Sequence, residues 1–171
     1  MNVKMLAVTG LLAAGLLSLG CAVSADNCKP LKHVIVHTSL VGKDASRTTA
    51  AVNDVSNHEI VQRVYSYKLS SDDKDFNGMR TDNFAQTDTT DGEGTHAGYA
   101  IWKNSAGDSI YSKFSGEHHV ASGNAEDSEF TGTFVVRGGT GKFREITGQG
   151  TYKGRITPSG QSSEVLLDAR Y

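Results

Sequence analysis

The chain has 171 residues, with 17 Lys and Arg against 19 Asp and Glu, and a formal charge of −2. That near-balance excludes the strongly basic surface that nucleic acid demands and gives no sign of anionic-lipid binding. Two prolines and 19 glycines, with abundant Thr, Ser and Val, point to an all-β protein.

Residues 1–25 read as a Sec signal peptide. Lys4 precedes an apolar run from Leu6 to Leu19, and Val23-Ser24-Ala25 offers small residues for cleavage after Ala25. The run is short for a transmembrane span, which needs roughly 20 apolar residues. Leu17-Ser18-Leu19-Gly20-Cys21 has some likeness to a lipoprotein signal, but Ser18 and Leu19 depart from that order. Simple export, to the periplasm or the medium, is therefore preferred to a lipid anchor at Cys21. Residues 26–171 are the length of a single domain. Cys28 is the one cysteine left in it, so no intrachain disulfide can form.

From residue 31 the pattern has period two. Residues 31–38 form a β-branched strand, and 39–57 read as a polar loop. Residues 59–70 mix helical and strand signals, with Tyr65, Tyr67 and Leu69 alternating in favour of a strand. A charged loop follows, then a short strand at 84–88 and a turn at Asp91-Gly92-Glu93-Gly94. Residues 95–103 and 109–120 form a hairpin, and 129–137, 143–157 and 163–171 supply further strands. About eight antiparallel strands with short turns are best accommodated by a closed up-and-down barrel, which removes exposed edges. A two-sheet sandwich is the alternative.

The glycine-rich stretch at 137–155 raises the question of a phosphate loop. Such a loop needs glycine where Val136 stands and a hydroxyl where Phe143 stands, and a helix must follow. None of these holds. Gly138, Gly139 and Gly141 instead suit a hairpin connection with a bulge. Gly148, Gly150 and Gly154 share a strand face with Tyr152 and Ile156, as bends in a barrel wall would require.

The segments HAGYAIWK (96–103), SAGDSIYSKFSG and FTGTFVVRGGTGKFREITGQGTYKG resemble the allene oxide cyclase-like and dirigent-like barrel family over about residues 92–157. The likeness is strongest at Gly138, Gly139, Thr140, Gly141 and Phe143, all scaffold positions. The resemblance implies an eight-stranded antiparallel β-barrel with a lumen, calycin-like in build, in an exported member. It implies no catalytic residue here.

Placing Ile110, Phe114, Phe134, Val136, Tyr152 and Ile156 inward gives an apolar lumen with one phenol, the candidate ligand-binding set. His118 and His119 must point to opposite faces, and His96 lies on the partner strand. Hydrogen-bonded or solvated roles suit these histidines better than metal ligation, so no metal or cofactor is expected. Asp72, Asp73, Asp82, Asp88 and Asp91 fall in expected loops as solvated carboxylates. The leading functional expectation is binding of a small, partly apolar molecule in the lumen without catalysis. A cyclase, isomerase or dirigent-like enzyme using the same pocket is the first alternative. A structural or interaction module, self-associating through its barrel walls as a homo-oligomer, is the second.

Overall fold

The structure, a computed structural model, describes residues 29–40, 45–120 and 127–171. The signal peptide, Cys21 and Cys28 lie outside the described residues. Nine antiparallel strands are described: β1 Lys32–Leu40, β2 Ser46–Ala51, β3 His58–Ser70, β4 Arg80–Thr90, β5 Glu93–Lys103, β6 Ser109–Val120, β7 Ser128–Gly139, β8 Thr147–Thr157 and β9 Gly160–Arg170. They pair in the order β1-β9-β8-β7-β6-β5-β4-β3, and β1 closes the ring on β3. The result is a closed eight-position barrel. β1 and β2 lie end to end along one edge of β3, β1 against Lys68–Ser70 and β2 against Glu59–Val64.

A hydrogen-bonded row shows how wide the barrel is. Starting at Glu59 it passes through Thr89, Gly94, His118, Phe130, Gly154, Ser163 and Thr38, and returns to β3 at Leu69, ten residues along. Strand number and stagger together set the width of a barrel. This stagger exceeds the eight of a side-chain-filled (β/α)8 barrel, so the interior has more space to fill.

Glycine and aromatic residues fill it jointly. Gly98 pairs with Phe114, Gly116 with His96, Gly132 with Tyr152, Gly150 with Phe134 and Gly154 with Phe130. At each of these glycines an added Cβ would come within 3 Å of the ring atoms of its partner. The inward glycines therefore leave room for rings to lie across the neighbouring strand. That is the reason for the thin inner face of β8.

One end of the barrel is plugged. The segment 71–79, expected as a charged loop, turns under the barrel and buries Phe76 and Met79. Phe76 packs against Trp102, Phe143 and Tyr171 at ring separations of 6.1, 5.9 and 5.8 Å. Around this plug Asp75 accepts hydrogen bonds from Lys142 (2.9 Å), Tyr171 (2.9 Å) and Lys32 (3.3 Å). The hydrogen bond from Lys142 is the main reason that the Asp75 carboxyl is held down at about 2. The lysine of the glycine-rich stretch thus serves an ion pair at the closed end.

Four sequence expectations need correction. Residues 46–51, expected as loop, form β2; all six are exposed, so they carry no buried-face alternation. The short strand at 84–88 is the middle of β4, which extends from Arg80 to Thr90 and places Asp82 and Asp88 on a strand. The strand expected from 143 begins at Thr147, because Gly141–Phe143 forms one 3-10 turn that buries Phe143. The last strand starts at Gly160, three residues before the expected 163. The bulge lies at the β6–β7 pairing, where the register shifts between Tyr111 and Ser112, and Gly138 has φ 140° there.

Candidate functional site

Above the plug the barrel encloses a cavity of ≈ 80 Å³, with ≈ 700 Å³ of unfilled space when the open mouth is included. β5, β6, β7 and β8 supply its aromatic side through His96, Phe114, His118, Phe130, Phe134 and Tyr152. β3, β4 and β9 supply a more polar side through Arg63, Tyr65, Tyr67, Asn83, Gln161 and Ser163. A wider recess at the mouth, ≈ 670 Å³, shares Arg63, Thr87 and His118 with it.

All six candidate ligand-binding residues lie on the inward face of their strands, but they do not form one site. Phe114, Phe134 and Tyr152 line the cavity. Ile110 and Val136 are buried in the core cluster with Phe76, Trp102 and Phe143. Ile156 lines the mouth recess. The candidate set omitted His96, His118 and Phe130, although His96 alternates in phase with Gly98, Ala100 and Trp102, and Phe130 with Phe134. That phase was the available signal. Tyr67, Asn83 and Gln161 had weaker signals, since two of them lie in segments expected to be loop or turn.

The two neighbouring histidines of β6 separate as strand geometry requires. His118 is buried in the lumen, whereas His119 is exposed beside Glu93 and Glu117. His96 and His118 meet edge to face at 4.6 Å, and Phe130 stands 5.8 Å from His118. Nε2 of His96 lies 2.7 Å from the Tyr152 hydroxyl. Burial pushes His96 down to about 4, helped by His118, and pushes His118 down to about 4, helped by Arg63. Both imidazoles are neutral at pH 7. Burial raises the Tyr152 phenol well above its ordinary value. Across the lumen Tyr67 bonds with Asn83 and Thr38, and burial raises its phenol as well. Thr38 is in turn 2.6 Å from the Ser163 hydroxyl.

Acid should therefore weaken this protein through its lumen. The unfolded chain takes up protons at His96 and His118 near pH 6.5, whereas the folded chain resists until about pH 4. Stability is fully present above about 6.5 and falls as the pH drops towards 4. Urea unfolding of His118→Phe should show a shallower loss over that window than the unaltered protein. An equal slope would show that His118 does not carry the effect.

The pocket has no charged catalytic pair and no group of three metal-ligating side chains among the described residues. What it offers is ring faces, two neutral imidazoles, the Arg63 guanidinium and a few fixed hydroxyl and amide groups. In structure the chain is similar to dirigent proteins. Two pterocarpan synthase dirigent proteins match it at 16% identity and a TM-score of 0.46, one over 93% of this chain and 99% of its own, the other over 85% and 97%. No family model matches the sequence, and no curated protein matches it. The barrel stands on its own strand pairing, and the chemistry of the site on the side chains above.

Among the described residues, no helix is long and apolar enough to cross a membrane.

Proposed function

We propose that this is an exported barrel protein that binds a small, partly apolar molecule in its lumen without transforming it. The supporting observation is the cavity itself: closed below by Phe76, open above, and walled by aromatic rings around a few polar groups. Such a mixture, mostly apolar with sparse fixed polar atoms, is what small-molecule sites share. Trp102, the single tryptophan of the chain, lines the cavity and supplies the readout. Titration with a panel of single-ring aromatic and alicyclic molecules should change its emission and raise Tm together. A panel that moves neither would overturn the reading.

Catalysis in the same pocket is the second reading, favoured by the convergence of His96, His118 and Tyr152. The export proposal rests on residues 1–25, and the mass of the mature N-terminus tests it. Asp26 as first residue supports it; an acylated Cys21 would replace it with a lipid anchor.

A further inference from the structure

Among the described residues, two polar atoms in the lumen have no hydrogen-bond partner, His96 Nδ1 and Gln161 Oε1. Both residues line the same cavity and are buried, at 7% and 9% exposure. An unpaired buried polar atom is costly, and native interiors hold few of them. Two in one cavity mark the places where something else supplies the partners.

Their positions constrain that partner. His96 is on β5 and Gln161 on β9, which stand four positions apart in the eight-position ring. The two side chains therefore approach the lumen from opposite walls. Their polarity can also be worked out. The Tyr152 hydroxyl has no acceptor other than His96 Nε2 among the described hydrogen bonds, and it remains protonated. Its proton is donated to Nε2, which must then be the bare ring nitrogen. A neutral imidazole carries one N–H, so that proton sits on Nδ1. His96 offers a donor, and Gln161 offers a carbonyl acceptor. Phe114, Phe134 and Tyr65 line the same cavity.

We infer that the lumen takes an uncharged single-ring molecule with a carbonyl-type acceptor at one end, bound by His96, and an N–H or O–H donor at the other, bound by Gln161. This rests on the lumen-binding reading above and specifies its ligand class. Neither pole presents a charged side chain, and an unpaired charge is expensive to bury. Arg63, the charged side chain of the lining, also borders the mouth recess, so a charged group belongs at the mouth and not between the poles. The size follows from the cavity. At ≈ 80 Å³ it is smaller than the roughly 150 Å³ that admits benzene in an engineered protein interior. A single ring enters with small shifts of Phe114 and Tyr152, which are only half-buried. A fused or long-chain molecule would have to extend into the mouth.

The test compares three probes on the unaltered protein by calorimetry and Trp102 emission. 4-Pyridone carries C=O and N–H at opposite ends of one ring, N-methyl-4-pyridone lacks the donor, and benzene lacks both. 4-Pyridone should bind about tenfold more tightly than either of the others and should move the His96 Nδ1 resonance in imidazole 1H–15N spectra. In Gln161→Leu the two pyridones should bind alike, and in His96→Phe both should weaken. If benzene binds as well as 4-pyridone, the polar assignment is wrong and lumen binding stands. If no probe binds, and bound water is found at both polar atoms instead, the inference and the lumen-binding reading fail together. The comparison of probes needs no variant, so a misfolded mutant does not blunt it.

Discussion

Replacing Gly150 by alanine should lower stability by about 2–3 kcal/mol, although strand propensity alone predicts the opposite sign. Glycine inside a regular element is worse than alanine by roughly 0.5–1 kcal/mol, so a Gly→Ala change with free space around it stabilises. At Gly150 the space is taken. A new Cβ would sit 2.0 Å from the Leu166 carbonyl oxygen and 2.5 Å from the Phe134 ring. The oxygen belongs to the β8–β9 ladder and cannot withdraw without breaking it. The ring can move only inward, towards Trp102 at 6.1 Å, and so into the cavity. Thermal unfolding should fall by roughly 5–10 °C, with a change in Trp102 emission. Thr151→Ala, one residue along and facing outward, should stay within about 0.5 kcal/mol. A stabilised Gly150→Ala protein would show that the ring does not need the glycine.

That pairing also explains which parts of the molecule were legible from sequence. In strands β5 to β8 rings and glycines recur at every second position of the inner face, so their phase, and the inward set from Ile110 to Ile156, could be read directly. β4 could not be read to its full length, because its inner face is Thr81, Asn83, Ala85 and Thr87. A strand whose inner residues bond or border other polar lumen groups shows no apolar period. β2 was missed for a simpler reason: it buries nothing and is held by backbone pairing to β3. The plug was hidden by its neighbours, since Phe76 lies among Asp72, Asp73, Lys74 and Asp75 and the segment reads as solvated. The cavity itself belongs to tertiary structure. Gln161 and His96 are 65 positions apart in sequence, and only closure of the ring puts them on opposite walls of one lumen.

The second large effect is expected at that plug. Phe76→Ala should cost about 3–5 kcal/mol, the usual range for truncating a fully buried phenylalanine. Phe76 has no exposed surface, and three rings meet it at once. Removing it leaves a void beneath the lumen floor formed with Trp102, which rigid strands on all sides prevent from collapsing. The charged hub beside it is the competing account of what holds the plug. Asp75 is part-exposed, at 23% of its side chain, and its lysine partners are at 38% and 39%. Ion pairs at such exposure are worth about 0–1 kcal/mol, because water screens them. Asp75→Asn should therefore cost less than Phe76→Ala, and its effect should vanish below about pH 2, where the carboxylate protonates in the folded protein. Urea unfolding of both variants decides between the accounts. If Asp75→Asn proves the more damaging, charge rather than ring packing closes the barrel. If Phe76→Ala does, the enclosed lumen exists because one phenylalanine in a run of acidic residues turns inward.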